Sequence, residues 1–365
     1  MSSNSFGNFL RFTSFGESHG KMIGGVLDGF PPGVLIDFDF IKAEMMRRRP
    51  GYSGISSNRK EADEVEIISG VHNGISTGAP IAFLINNENA RPDEYSNIRD
   101  SFRPSHADFT YYKKYGISGL SGGGRSSARE TACRLAAGAL AKCFLRTYNI
   151  NISAYTSGIG SIDLEKAYNE LNLDISKGNP VSCPDPEKAV IMENLILEYK
   201  NKGDSIGGRI SCVIKGVLSG LGDPVFDKLQ ANLAKAMLSI PAAKAFEYGS
   251  GLSGSYMTGS QHNDEFFIDK NNSVHTRTNF SGGIQGGISN GEDIYFKVAF
   301  KPVSSISKKQ NTVNVKGESE QIEINGRHDS CVVPRAVPVV EAMAALVIAD
   351  ALIINRTQND IGINK

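Results

Sequence analysis

The chain has no net charge. Its 39 Lys and Arg residues balance 39 Asp and Glu over 365 positions. Bulk steering toward nucleic acid or an anionic membrane is therefore absent, and any anion site must arise from local clustering. Cysteine is sparse: Cys133, Cys143, Cys183, Cys212 and Cys331 are odd in number and form no C-x-x-C. That pattern excludes a disulfide framework and fits buried thiols in a reducing compartment. No His/Cys spacing suits a metal, so none is expected. No charged-then-apolar leader opens the sequence. The most apolar run, Val337 to Ile354, contains Pro338, Glu341 and Asp350, so it reads as a buried core helix and not a membrane span. The expected location is cytoplasmic, with no membrane and no nucleic acid as partner. Repeats of 20–50 residues and linker-like breaks are also missing.

What remains describes a globular protein: 40% hydrophobic and 21% charged. Strands and helices interleave along one expected domain, 1–365, with a loose tail from about residue 355. Two strands are expected within residues 8–36, around the loop Gly16-Glu17-Ser18-His19-Gly20. Asp39–Arg49 reads as a helix ending in cations, which favour a helix C-terminus, and Pro50-Gly51 stops it. Further helices are expected near Leu164–Asn172, Pro186–Lys202, Phe226–Ser239 and Arg335–Ile354. Strands are expected at Val65–Ile68, Pro80–Ile85, Asn151–Tyr155, Arg209–Gly216 and Ile294–Phe300. Asn86–Ser121 reads as a long functional loop, and Asn263–Asn272 as the most mobile segment.

The densest signal is Gly122-Gly123-Gly124-Arg125-Ser126-Ser127-Ala128-Arg129-Glu130. Ser127 and Glu130 have capping-box spacing. Ala132, Leu135, Ala136, Ala139, Leu140 and Cys143 then share one helical face. A glycine-lined helix start with two arginines suits a phosphate or a cofactor. It matches neither a Walker loop nor a dinucleotide fingerprint. An ordinary serine-capped glycine loop is the plain alternative.

Only six histidines occur. His19 sits in a glycine-bounded loop, and His106 lies in Phe102-Arg103-Pro104-Ser105-His106-Ala107-Asp108. Both settings suit proton delivery, with Arg103 as an anion neighbour. His72, His262, His275 and His328 read as structural or surface residues. Arg47-Arg48-Arg49, ahead of a Pro-Gly turn, can project planar forks at phosphate or carboxylate. A nucleic-acid patch there is weakened by the missing aromatics and by Glu61, Asp63, Glu64 and Glu66 just beyond it. Lys301-Pro302-Val303-Ser304-Ser305 and Gly326-Arg327-His328-Asp329-Ser330-Cys331 also gather polar chemistry. The glycine-rich stretch around Gly282–Gly287 would let backbone approach a flat ring. The residues alone therefore describe an enzyme for a multiply anionic small molecule, without naming its reaction.

From Gly7 to Ile353 the chain resembles the chorismate synthase family. The motifs that carry the resemblance are Gly16-Glu17-Ser18-His19-Gly20, the Gly122–Ala132 stretch, and Arg327-His328-Asp329-Ser330-Cys331. The arginine triplet, the His106 loop, Ser239–Lys244 and Gly282–Ile288 lie between them in order. The resemblance implies an α+β fold, a single-domain layered sandwich of antiparallel β-sheets between α-helices, assembled as a homotetramer. It implies anti 1,4-elimination of phosphate from 5-enolpyruvylshikimate 3-phosphate, giving chorismate. Reduced FMN is required without net redox change, and NADPH serves only indirectly as an external reductant. In this reading His19 protonates or polarises the flavin, His106 is the acid toward departing phosphate, and Asp329 assists proton removal. Substrate contacts fall on Ser18, Arg48, Arg49, Arg103, Arg129 and Arg327, with Ser127. FMN contacts fall on Arg125, Ser126, Ser127, Pro241, Ala242, Gly286, Lys301, Pro302, Val303, Ser304, Ser305 and Arg327. Two positions depart from the family. Gly54 and Ile55 stand where many members carry arginine, leaving Arg59 or Lys60 as replacements. Ser105 stands where Gly is usual, implying a stiffer loop. No flavin-reductase module is visible, so external reduced FMN is expected. A flavin-dependent oxidoreductase on the same cofactor site is the rival enzyme reading.

Overall fold

Alternation of apolar residues builds two antiparallel sheets. The computed structural model describes residues 4–49, 54–55, 62–88, 100–117, 121–324 and 329–359. The first part of the chain supplies β1 (Ser5–Phe6), β2 (Arg11–Gly16), β3 (Met22–Asp28), α1 (Phe38–Arg48), β4 (Glu66–Ile67), a small hairpin β5–β6 (Val71–His72, Ile75–Ser76) and β7 (Ile81–Asn86). β1, β2, β3, β7 and β4 pair in that order as one sheet. In β7, Ile81, Phe83 and Ile85 turn inward while their neighbours do not, which is the period-two pattern of a strand with one covered face.

Helix α2 (Asp108–Tyr115) interrupts the stretch expected to be loop, and α3 (Thr131–Arg146) follows the glycine segment. Then come β8 (Asn151–Ile159), β9 (Ile162–Asp163), α4 (Pro186–Asn201), β10 (Gly208–Lys215), α5 (Leu229–Leu238) and β11 (Ala243–Tyr248). A four-residue α6 (Gly259–His262), hairpins β12–β13 (Phe266–Ile268, Val274–Thr276) and β14–β15 (Ile284–Gln285, Ile288–Ser289), β16 (Ile294–Phe300), hairpin β17–β18 (Gln310–Val313, Ser319–Ile322) and α7 (Val333–Asn359) complete the chain. The second sheet runs β11-β16-β10-β8-β9.

The α+β class with antiparallel sheets is as expected, but the layering is not. α3 packs on β2 and β3 of one sheet and on β8 of the other, and α7 packs on β8 and β10. These helices lie inside, with the sheets outside them. α3 is accordingly buried on nearly every side, beyond the single face its spacing suggested. Gly138 lets it approach α7 closely: a Cβ there would stand 2.3 Å from Ala342 Cβ. α7 is long and apolar enough to cross a membrane, yet 89% of its most apolar window is buried in the fold, so it is the core helix expected.

Three local expectations change. Leu164–Asn172 forms only a 3-10 turn at Tyr168–Glu170. Glu170 there accepts from Ala167 N at 2.8 Å and Asn172 from Asp174 N at 3.2 Å, so side chains satisfy the backbone in place of a helix. Asn263–Asn272 contributes to the β12–β13 hairpin, where Asp269 accepts from Asn271 N and Ser273 N at 2.9 and 2.8 Å. α7 continues to Asn359, past Arg356, where a loose tail was expected.

A buried charge cluster fixes α1 against α3 and α7. Glu341 accepts from Arg47 at 2.6 and 2.9 Å, from Lys142 at 2.5 Å and from Ala154 N at 2.9 Å. Glu44 joins through the same two cations. Burial would raise the Glu341 carboxyl, but Arg47 and Lys142 hold it well below the usual carboxylate range. The basic end of α1 is thereby set in place, with Arg48 and Arg49 beyond it.

Candidate active site

The glycine loop forms the hub of the site. Residues Ser121–Ser126 make a 3-10 turn, a second turn covers Ala128–Glu130, and the α-helix begins only at Thr131. Gly123 and Gly124 have φ of +89° and +52°, conformations that glycine adopts without steric cost. The expected capping box is not formed. Ser127 Oγ accepts from Arg129 N at 3.3 Å, while Glu130 accepts from Ser14 Oγ and Arg134 Nε, both at 2.7 Å. The buried hydroxyl and guanidinium draw Glu130 away from the backbone.

On one side, the loop reaches His19. Arg125 donates to Gly16 O at 3.0 Å, Ser14 O at 3.1 Å, Ser14 Oγ at 2.8 Å and Asn4 Oδ1 at 3.3 Å. All of these acceptors are neutral, so Arg125 has no carboxylate partner among the described residues. Asn87 Nδ2 donates to Glu17 O at 3.0 Å and Gly20 O at 2.8 Å, bracketing Ser18 and His19. Its Oδ1 accepts from Arg129 Nε at 2.8 Å. Ser18 is buried and His19 is half-buried.

Arg129 also donates to Asn86 O at 3.0 Å and pairs with Asp63. Arg48 meets the other oxygen of Asp63 at 3.0 Å, and bonds Thr131 Oγ1 at 2.9 Å and Ala128 O at 2.8 Å. Arg335 Nε donates to Arg48 O at 3.0 Å, and its guanidinium pairs with Asp329. Among the described residues, three guanidinium groups thus face two carboxylates here. Burial lowers Arg48 to about 10, with Asp63 opposing the shift. Burial would raise Asp63, but Arg48 and then Arg129 hold it below its ordinary value. Arg49, at the C-cap of α1, has a buried Nε with no hydrogen-bond partner among the described residues.

On the other side, the loop touches His106. A Cβ at Gly123 would stand 2.9 Å from His106 Cε1. His106 Nδ1 lies 2.8 Å from Asp108 Oδ1. Arg103 donates Nε and Nη2 to the two oxygens of Asp108, each at 2.7 Å. Burial would raise the Asp108 carboxyl, yet Arg103 and His106 hold it well below the carboxylate range. Ser105 has φ of +60°, which accounts physically for a glycine preference there. Its carbonyl accepts from Lys301 Nζ at 2.6 Å and Ser304 Oγ at 3.0 Å. Lys301 N in turn donates to Ala242 O at 2.9 Å. Burial, then Lys244, lowers the Lys301 ammonium.

His19, Ser18, Arg48, Arg125 and Arg129 therefore gather on one flank. Arg103, His106, Ala242, Lys301 and Ser304 gather on the other, with Pro241 beside Ala242. Ser126 and Ser127 lie between them. Asp329 joins the first flank through Arg335. Pro302, Val303 and Ser305 follow Lys301, with Val303 O accepting from Ser205 Oγ at 2.7 Å. Gly286 stands apart. Its neighbour Gly287 accepts from Leu229 N at 2.9 Å at the first residue of α5, whereas Ala242 lies beyond its last. Ten helical residues rise about 15 Å. A small cleft lies at the Gly286 end, lined by Gly222, Asp223, Lys235 and Asp350, away from both histidine loops. Arg327, Arg59 and Lys60 lie outside the described residues.

Asp63, Asn87, Asp108 and Arg335 belong to the site without having been singled out for it. Asp63 lay hidden in an acidic run. Arg335 carried a signal: a cation in the first turn of a helix opposes the dipole, so it needs a carboxylate such as Asp329.

The family model described as chorismate synthase matches residues 10–353. A chorismate synthase of Bacteroides thetaiotaomicron is 57% identical over 354 residues, covering 97% of this chain and 99% of that protein. One from Prochlorococcus marinus is 51% identical over 361 residues, covering 98% and 99%. A crystal structure of chorismate synthase aligns with a TM-score of 0.76 at 29% identity, covering 97% of this chain and 98% of that one.

Proposed function

The chain belongs to the chorismate synthase family, and from that premise we propose which residues hold the reactants and move protons. The reaction is the 1,4-elimination of phosphate from 5-enolpyruvylshikimate 3-phosphate to give chorismate, a carbon–oxygen lyase step of the shikimate pathway. The observation that carries the assignment is the glycine loop, which touches both histidine loops and presents Arg125 without a carboxylate partner.

Substrate carboxylates and phosphate are assigned to Arg48, Arg49, Arg103 and Arg129, with Ser18 and Ser127 as hydroxyl partners. Departing phosphate gathers negative charge, which fixed guanidinium groups stabilise without reorganising. His106 delivers a proton from Nε2 to a leaving phosphate oxygen, because Nδ1 is engaged with Asp108. On the opposite flank His19 holds a proton in a loop fixed at both ends by Asn87. Asp329, oriented by Arg335, is assigned proton removal.

The donor set fits FMN. Gly123 and Gly124 bare their backbone, and Arg125 and Lys301 contact only neutral oxygens. Arg125, Ser126, Ser127, Pro241, Ala242 and Lys301 to Ser305 would hold the cofactor, with Arg327. When bound, reduced FMN supplies an electron-rich ring that is recovered unchanged after each turnover, and NADPH acts only as an external reductant. A homotetramer is the proposed assembly. Phe226, Tyr256, Phe266 and Ile268 are 91%, 82%, 63% and 66% exposed, surfaces that further copies would cover. A cofactor site shared between copies would also reconcile Gly286 with Ala242. The cytoplasm is the proposed location.

An anaerobic assay with reduced FMN tests this reading. It should release phosphate and chorismate in equal amounts while the flavin stays reduced over many turnovers. Net consumption of reduced flavin per product would refute it in favour of an oxidoreductase.

A further inference from the structure

Asp108 gathers side-chain contacts from both Arg103 and His106 within the His106 loop, beside the backbone bond from His106 N to Arg103 O at 3.1 Å. Arg103 addresses it as a fork through Nε and Nη2, and Arg103 N adds a third bond at 3.1 Å. His106 Nδ1 approaches the same Oδ1 that Arg103 Nη2 meets. An ionised carboxylate only accepts hydrogen bonds, so the hydrogen in the His106 contact belongs to Nδ1. The ring is also confined on its far edge by Gly123, and the residue before it is pinned by Lys301 and Ser304.

We propose that Asp108 is a positioning residue for phosphate departure: it holds His106 with Nδ1–H toward itself, leaving Nε2 as the atom that transfers the proton. This rests on the reading of His106 as the acid toward phosphate. Asp108 acts through the ring, not on the substrate. An alternative role, ordering Arg103 alone, makes a different kinetic prediction.

Two measurements test the proposal. A neutron crystal structure of the wild-type protein should show a deuteron on His106 Nδ1 facing Asp108. This needs no variant and no turnover, so its outcome is independent of the reaction. Asp108→Asn should lower kcat by about 100-fold or more, the range of a lost general acid, while FMN Kd stays within about twofold. In the His106→Ala background, Asp108→Asn should cause no further loss, because residues acting as one unit are not additive. A bare Nδ1 in the neutron map would overturn the proposal. So would an equal loss from Asp108→Asn with and without His106, which would place its effect on Arg103. Failure of the wild-type protein to release phosphate would instead refute the proposed function.

Discussion

His106 fills the space that any side chain at Gly123 would need. A Cβ at that position would stand 2.9 Å from His106 Cε1 and 3.2 Å from Ser126 Oγ, on a backbone with φ of +89°. The glycine loop is thus the floor on which the imidazole rests, as well as a site for anions. Gly123→Ala should displace the ring. A misplacement near 1 Å can cost about 100-fold in rate, and the left-handed backbone adds about 1–2 kcal/mol of strain. We expect kcat to fall by at least tenfold while the protein still folds. Steady-state kinetics beside a thermal melt would check this, and an unchanged kcat would show that the ring does not need this floor.

Asp63 is the counter-charge for two buried arginines, Arg48 and Arg129. Removing one partner of such a cluster costs about 3–5 kcal/mol, because charge is left buried and unpaired. Asp63→Asn should lower stability by an amount of that order in urea titrations at pH 7. The pH dependence has a definite sign. The folded carboxyl is held below its ordinary value, so its contribution is complete above the unfolded carboxylate value of about 4. It is lost as pH falls through the folded value. The wild type should therefore lose more stability than Asp63→Asn on acidification below about pH 4. Parallel curves for the two proteins would refute the pairing.

Much of this site was legible because glycine and proline punctuate its loops. Gly16, Gly20, Pro104 and the Gly122–Gly124 run marked where side chains would be presented, and His19, His106, Arg48 and Arg129 follow from them. Partner choice was not legible. Asp63 meets Arg129 across 66 positions and Asn87 meets it across 42, and no local period encodes such distances. Layering failed for the same reason. The spacing in α3 marked one apolar face, but small residues off that face, such as Gly138 and Ala141, let sheets and α7 close on the others. Glu130 illustrates local reasoning overruled: the capping spacing was present, but buried Ser14 and Arg134 competed for its oxygens.

Ser105 stands in a left-handed conformation that costs a non-glycine residue about 1–2 kcal/mol. Its carbonyl is the group that binds Lys301 most closely, at 2.6 Å, and its hydroxyl adds only a 3.2 Å contact. Ser105→Gly keeps the carbonyl and relieves the strain, although it frees the unfolded chain. The expected net effect is neutral to about 1 kcal/mol stabilising, with kcat within about twofold of wild type. Ser105→Val should destabilise, since a branched side chain fits this backbone poorly. A marked loss of activity in the glycine variant would show that the hydroxyl, and not the backbone, serves the site.

Asn87 joins the two parts of the first flank through opposite ends of one amide. Its Nδ2 donates to Glu17 O and Gly20 O, and its Oδ1 accepts from Arg129 Nε. Asn87→Ala removes all three bonds while leaving every charged residue in place. At about 1 kcal/mol per bond, the direct loss of stability is about 3 kcal/mol at most, and exposure to water at the loop should reduce it. The functional effect should be larger than the stability effect suggests, because the His19 loop and Arg129 lose their common reference together. We expect kcat/KM to fall by about tenfold or more, with both kcat and KM affected. Asn87→Asp separates geometry from charge. It keeps an acceptor for Arg129 but loses both donations to the loop, so it should impair kcat while preserving more of the KM. If Asn87→Ala leaves both constants unchanged, the His19 loop is positioned by its own backbone and Asn87 is only a structural contact.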